Sequence, residues 1–287
     1  MICTLCPRRC GAERTEAEGH GFCGMPAGLR VARAALHLWE EPPLSGTRGS
    51  GTVFFSGCTL RCCYCQNRKI SAGGFGRAVT TGRLREIFEE LIAQGAHNIN
   101  LVTPTHFLPW LLPALAPKLP VPVVYNCGGY ERVETLRGLE GKIDIYLPDL
   151  KYADAGLSGS LSGAADYFTV AREAIREMVR QTGMPQWRGE KMVRGTIIRH
   201  LILPGQVENS LRVLDWIGEN FAPGQVLVSL MRQYTPMGGL AAPFDRRVRS
   251  DEYEAVLSWM YLNRLEGFTQ EETAADAGFI PDFRQER

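Results

Sequence analysis

The chain carries nine cysteines in 287 residues, and eight of them fall into two tight groups. Cys58, Cys62 and Cys65 are spaced C-x3-C-x2-C within the stretch GCTLRCCYC, with Cys63 beside the second. Three thiolates on one short loop can each hold one iron of a cubane [4Fe–4S] cluster and leave the fourth iron open. A structural zinc or an electron-transfer cluster takes a closed set of four ligands, so an open iron suits a site that binds and activates a substrate. Cys63 could replace a neighbour in this set. The other group, Cys3, Cys6, Cys10 and Cys23, is spaced C-x2-C-x3-C-x12-C and supplies a closed set of four. Thiolate chemistry admits either tetrahedral zinc or a [4Fe–4S] cluster there. Zinc would only fold the segment, whereas a cluster could relay an electron to the first site. Cys127 stands alone and reads as a small buried residue.

The remaining composition bounds what must position these groups. Hydrophobic residues make up 45% and charged residues 22% of the chain, enough for a sizeable core and against wholesale disorder. With 32 Lys and Arg against 31 Asp and Glu, the net charge is +1. That gives no electrostatic footprint for nucleic acid or for an anionic membrane surface. No apolar run approaches the roughly 18 residues of a membrane span. The start MICTLCPRRC lacks the order of a signal peptide. The expectation is a soluble cytoplasmic protein in which the cysteines stay reduced and serve metal or catalysis.

Six short apolar runs read as buried strands: residues 52–56, 98–103, 121–126, 143–147, 196–203 and 225–231. Helical patterns lie between or after them, at 82–94, 167–182, 209–220 and 250–265. Alternating strands and helices predict an α/β fold with a parallel sheet, and six units predict a partial (β/α)6 TIM-like barrel. Residues 1–45 do not join this alternation and read as a Cys-rich metal-binding appendage, with 46–287 as the barrel. The Gly/Ser-rich stretch 157–165 reads as a mobile loop, and the polar end, 278–287, as a frayed terminus.

C-x3-C-x2-C directly after a strand, with the aromatic Tyr64 before the last Cys, resembles the signature of the radical S-adenosylmethionine (SAM) superfamily. Further stretches extend the likeness over nearly the whole chain: EEP at 40–42, SGTRGSGTVFFSGC, GAHNINLVTPTH, VVYNCGGYE, DIYLPDLKY and IIRHLILPG. Together they resemble an uncharacterised branch related to pyruvate formate-lyase activating enzyme. The resemblance implies one [4Fe–4S] cluster on Cys58, Cys62 and Cys65, with SAM chelated at the open iron. It implies reductive cleavage of SAM to a 5′-deoxyadenosyl radical that abstracts a hydrogen atom. It also implies that Tyr64 packs near the adenine.

If the barrel is right, functional side chains should gather where strands end. Thr103 and Thr105 stand where relatives carry a GGE-type motif for the SAM amino group, and their hydroxyls could replace it. His106 beside them reads as a loop or core histidine. Asn126 stands where activating enzymes often carry Asp and keeps the capacity to bond a ribose hydroxyl. Asp149 and Lys151 resemble the DLK triplet of the activators, near bound SAM, and alternation puts both on one side of an extended segment. Arg199 and His200 are neighbours in an apolar run, so only one can point inward. Arg199 is the choice, because its guanidinium can pair with a carboxylate such as that of SAM. Gln233 and Tyr234 follow the last strand as further substrate contacts.

The leading expectation is a radical SAM oxidoreductase, with activation of a glycyl radical enzyme as one specific reaction. Modification of a small molecule or peptide is the rival within the class. A non-catalytic iron–sulfur electron carrier or scaffold is the rival outside it. The expected partners are an electron donor such as flavodoxin or ferredoxin and a glycyl radical enzyme, and an exposed cluster implies an anaerobic setting.

Overall fold

The computed structural model of the chain describes residues 2–270 and residue 283. In chain order the elements are β1 (Arg30–His37), α1 (Pro42–Ser45), β2 (Ser50–Phe55), α2 (Arg68–Ser71), β3 (Arg77–Ala78), α3 (Thr81–Ala93) and β4 (Ile99–Val102). Next come α4 (Leu108–Leu111), β5 (Val123–Cys127), α5 (Val133–Arg137), β6 (Ile145–Pro148), α6 (Ala155–Ser162) and α7 (Tyr167–Thr182). The chain continues through β7 (Gln186–Arg188), β8 (Lys191–Leu201), α8 (Val207–Asn220), β9 (Leu227–Met231), α9 (Ser250–Leu262) and β10 (Gly267–Thr269).

The strand order is β10-β9-β8-β6-β5-β4-β2-β1-β3, with β7 paired to β8 off this path. From β2 to β10 every pairing on the path is parallel. At the other end β1 runs antiparallel to β2, and β3 antiparallel to β1. Among the described residues no pairing joins β10 to β3, so the sheet stays open. All six expected strands are present in this partial barrel.

Four strands escaped the sequence reading: β1, the short β3 and β7, and β10. β10 adds a seventh parallel strand, three residues long and too short to show a period. β1 lies inside the segment read as an appendage, so the division at residue 45 does not coincide with a break in the sheet. Its sequence RVARAALH is mostly half-buried, as suits a strand near an open edge, and lacks the continuous apolar run that marks a central strand.

The stretch 157–165 is also not a loop. Residues 155–162 form α6, started by the Asp154 side chain, which accepts from the Leu157 N–H, and ended by Gly163 in the left-handed conformation. Ser158, Leu161 and Ser162 are buried. Capping and burial outweigh a composition that reads as flexible. The expectation for 278–287 lies outside the described residues except at Phe283, which is buried with its ring edge-on to Phe54. Among the described residues no helix is long and apolar enough to cross a membrane.

Alternation along the strands builds the site in layers. Val53, Phe55, Leu101 and Tyr146 face outward and pack with Leu84, Phe88 and Leu91 of α3 and Met178 of α7. Fully burying one such side chain contributes about 1.5–3 kcal/mol. Facing inward, Val124, Ile145, Leu147, Ile197 and Leu227 close the barrel floor around Leu44 of α1. Two residues further along the same inner face stand Asn126, Asp149, Arg199 and Ser229. The polar layer therefore rests on an apolar one.

Gly129, just past β5, has φ +76°, and a Cβ there would lie 2.1 Å from the Asp149 carbonyl oxygen. Gly129→Ala should cost more than about 3 kcal/mol in urea unfolding. A change under about 0.5 kcal/mol would show that β5 and β6 do not approach this closely at their carboxyl ends.

Candidate functional site

The loop after β2 opens with Gly57 at φ +79° and carries Cys58, Cys62 and Cys65 into a cavity of about 390 Å³. The cavity is also lined by Tyr64, Thr103, Asn126, Asp149, Lys151 and Arg199, so the loop after β2 and the carboxyl ends of β4, β5, β6 and β8 converge on it. Each of the three thiols accepts at least one bond from the protein. The Leu60 N–H donates to Cys58 Sγ at 3.3 Å, Ser162 Oγ to Cys62 Sγ at 3.0 Å, and Ser71 Oγ to Cys65 Sγ at 3.4 Å. Thiolates are better acceptors than thiols, and donors to the sulfur are a regular feature of cluster ligation.

Burial pushes the Cys58 thiol up to about 12, and neighbouring Cys62 and Cys65 add to the rise. Three thiolates this close and this dry need a compensating cation. Among the described residues no group of three or more His, Cys, Asp or Glu side chains is arranged to hold a single ion. In a cubane each cysteine binds a different iron, so three donors around one cavity fit a cluster without meeting at one point. The residues present fit such a group.

Opposite the thiols stands a buried charge network. Arg199 Nε donates to Asp149 Oδ1 at 2.8 Å, its Nη2 to Asn126 Oδ1 at 2.6 Å, and its Nη1 lies 3.7 Å from Glu40 Oε2. Lys151 Nζ donates to Asp149 Oδ2 at 2.6 Å, and Asn100 Nδ2 to Glu40 Oε1 at 3.0 Å. Burial alone would raise the Asp149 carboxyl, but Arg199 and Lys151 hold it below the ordinary carboxylate range. Burial wins at Glu40 and Glu41, which are raised although Arg199 opposes it.

The other expected residues divide into those on the cavity and those turned away. Tyr64 is buried and shares a 2.7 Å hydrogen bond with Tyr152 Oη. Thr103 closes β4 at φ +58°, a conformation costly for a β-branched residue. Thr105 does not line the cavity: its Oγ1 donates to Glu131 Oε1 at 2.7 Å in a buried group with Tyr125. Burial lifts Glu131 to about 7, moderated by those hydroxyls. His106 is a core histidine bonded to the Ser56 carbonyl oxygen at 2.6 Å. His200 faces away from the cavity, bonded to the Leu150 carbonyl oxygen at 2.6 Å and to Ser210 Oγ at 2.9 Å. Gln233 and Tyr234 both reach the cavity.

Sequence reasoning missed Glu40 and Glu41 as members of the site, although the motif was visible. They sit between strands without any period to show which way they face. It also missed Ser162, because a serine bonded to a cysteine 100 residues away leaves no local signal, and Ser71, six residues past Cys65 on a helix of a single turn.

The appendage lies against the cluster loop. A Cβ at Gly57 would meet Met25 Cγ at 2.3 Å and the Cys23 carbonyl oxygen at 3.1 Å. Arg61 donates to the Phe22 carbonyl oxygen at 3.0 Å, and Arg8 Nε to that of Thr59 at 2.8 Å. Cys6 lies within electrostatic reach of Cys3 and Cys23, and Cys23 of Cys10. Backbone N–H groups of Arg8, Ala12 and Met25 bond the sulfurs of Cys6, Cys10 and Cys23 in turn.

Comparison with known proteins agrees with this geometry. A family described as a 4Fe-4S single cluster domain matches residues 45–103, which hold the cluster loop. An uncharacterised protein of Methanocaldococcus jannaschii is 29% identical over 246 residues, covering 82% of this chain and 66% of that protein. The chain thus spans about two thirds of that relative's length. A radical SAM methyltransferase from Sphaerobacter thermophilus superposes with a TM-score of 0.52 at 16% identity, over 77% of this chain and 66% of the other. Methylornithine synthase does so with 0.51 at 16%, over 75% and 63%. Streptococcus suis SuiB bound to S-adenosylmethionine does so with 0.50 at 14%, over 75% and 45%. The fold is that of the radical SAM enzymes.

Arg199→Gln would leave Asp149 and Glu40 buried without their shared cation and should cost about 3–5 kcal/mol at neutral pH. The Asp149 carboxyl is depressed in the folded state. Its stabilisation is therefore present above the ordinary value of about 3.9 and lost as pH falls through the lower folded value. The gap between wild type and variant should narrow on acidification through the carboxylate range. A gap under about 1 kcal/mol at pH 7, or one that widens in acid, would contradict the network.

Proposed function

We propose that this protein is a radical SAM enzyme, with a [4Fe–4S] cluster on Cys58, Cys62 and Cys65 and SAM on the open iron. The observation that supports it most is the three hydrogen-bonded thiols facing a buried Arg–Asp–Lys network across one cavity. When bound, the cluster and SAM would supply one-electron cleavage to a 5′-deoxyadenosyl radical that takes a hydrogen atom from the substrate. The chain's own residues do the positioning. Arg199 would hold the SAM carboxylate, and Asn126 would offer its amide nitrogen to a ribose hydroxyl, since its oxygen already accepts from Arg199. Tyr64 would flank the adenine, and Thr103 would stand in for the amino-group motif. Asp149 and Lys151 keep Arg199 in place and its charge balanced.

The finer reading is activation of a glycyl radical enzyme in an anaerobic cytoplasm, with a flavodoxin or ferredoxin as electron donor. It is supported by the sequence resemblance to the activating enzymes through DLK at 149–151. Modification of a small molecule or peptide is favoured instead by the carboxylates of Glu40 and Glu41 in the cavity wall, which suit a small polar substrate. SuiB, which has this fold, has been solved with a precursor peptide. A carrier or scaffold would have no use for SAM.

Cys3, Cys6, Cys10 and Cys23 are assigned in the same reading to a second centre, zinc or [4Fe–4S], in the segment 1–45. It is supported by the electrostatic reach of Cys6 to Cys3 and Cys23 and of Cys23 to Cys10, and by their N–H donors, although the four thiols do not converge on one point as a single zinc needs.

Anaerobic reconstitution followed by dithionite and SAM should yield 5′-deoxyadenosine, and Cys58→Ala should abolish it. An intact, reduced cluster that neither binds nor cleaves SAM would overturn the enzyme reading in favour of the carrier. Metal analysis should find about eight irons per chain for two cubanes, or about four with one zinc. Retention of that second metal in a Cys58→Ala/Cys62→Ala/Cys65→Ala variant, and its loss in Cys10→Ala, would support the second centre. A metal-free triple variant would remove it.

A further inference from the structure

A hydroxyl and a guanidinium hold the cluster loop from outside, and the two meet at Ser162. Ser162 is the last residue of α6 and is buried, with its Oγ donating to Cys62 Sγ at 3.0 Å. The same hydroxyl shares a 2.7 Å hydrogen bond with Tyr152 Oη, which is paired in turn with Tyr64 Oη at 2.7 Å. The Ser162 main chain is held just as closely. Arg8, between Cys6 and Cys10, donates Nη2 to the Ser162 carbonyl oxygen at 2.6 Å and Nη1 to that of Gly163. Its Nε donates to the Thr59 carbonyl oxygen at 2.8 Å, between Cys58 and Cys62. The guanidinium is backed by the Phe22 ring, 3.8 Å from its centroid. One side chain of the N-terminal segment therefore joins the end of α6 to the cluster loop, and α6 presents a hydroxyl to a cluster sulfur.

We propose that Arg8 and Ser162 act as a clamp through which the N-terminal segment sets the hydrogen bonding, and so the reduction potential, of the cluster on Cys62. The inference rests on the [4Fe–4S] reading of Cys58, Cys62 and Cys65. Reduction adds negative charge that is shared with the thiolate sulfurs, and an O–H donor to sulfur stabilises that charge more in the reduced state. The Ser162 hydroxyl thus raises the potential and makes the electron easier to accept. Arg8 fixes where that hydroxyl stands. Its planar fork spans three carbonyl oxygens, which a lysine ammonium cannot do in the same geometry. Both are positioning residues, since neither need touch SAM or substrate.

The test is an EPR-monitored redox titration of the reconstituted full-length protein without SAM, comparing wild type with Ser162→Ala, Arg8→Lys and the double variant. Ser162→Ala removes one oxygen and leaves Tyr152 its bond to Tyr64, so the cluster should assemble with full iron content and a more negative midpoint. Arg8→Lys should shift the midpoint in the same direction. The double variant should shift no further than Ser162→Ala, because both act through one hydroxyl. Full clusters with a wild-type midpoint in Ser162→Ala, or shifts that add in the double variant, would overturn the clamp and leave the enzyme reading untouched. No cluster in wild type, with Cys58, Cys62 and Cys65 intact, would overturn both.

Discussion

Charge inside the barrel is the constraint on which the site depends. A guanidinium, an ammonium and at least two carboxylates lie on one inner layer, where an unpaired charge would cost several kcal/mol. They persist because Arg199 reaches Asp149, Asn126 and Glu40 at once, while Lys151 takes the second oxygen of Asp149. Those partners come from β5, from β6 and the residues just after it, and from the loop after β1. The charge network therefore fixes the relative register of strands that share no local sequence. An apolar floor of Leu147, Ile197 and Leu227 beneath it keeps water from the alternative of solvating each charge separately.

The thiol loop faces the same requirement from the other side. Cys58 and Cys65 are dry, and three sulfurs so placed repel one another as thiolates. Protein donors from three different elements reach them: the loop's own backbone, α2 and α6. Each donor offsets part of the cost of a buried anion, and iron would offset the rest. Gly57 lets the N-terminal segment pack directly onto the loop, so the two cysteine groups share a contact surface as well as a chemistry.

Much of this was legible from residue types and spacing. The six central strands were readable because strands buried on both faces appear as continuous apolar runs, and Arg199 could be oriented because neighbours in a strand face opposite sides. The Cys58, Cys62 and Cys65 spacing showed three ligands on a loop after a strand. What could not be read depends on edges and long range. β1 and β10 are short or half-exposed, so their pattern is weak. Residues 157–165 looked flexible because glycine and serine are also what a capped helix uses when it packs closely. Thr105 follows a strand end, yet a short helical turn directs it to Glu131, away from the cavity. Glu40, Glu41 and Ser162 join the site only through tertiary contacts, which no single-sequence period encodes.

The central claim is that the open iron of a three-cysteine cluster is where SAM binds. The most direct measurement is electron–nuclear double resonance on the reduced, reconstituted protein with SAM labelled with nitrogen-15 at the amino group and oxygen-17 at the carboxylate. The account predicts hyperfine coupling from both labels to the cluster spin, lost in Cys62→Ala. A reduced, full-occupancy cluster that shows neither coupling at saturating SAM would contradict it.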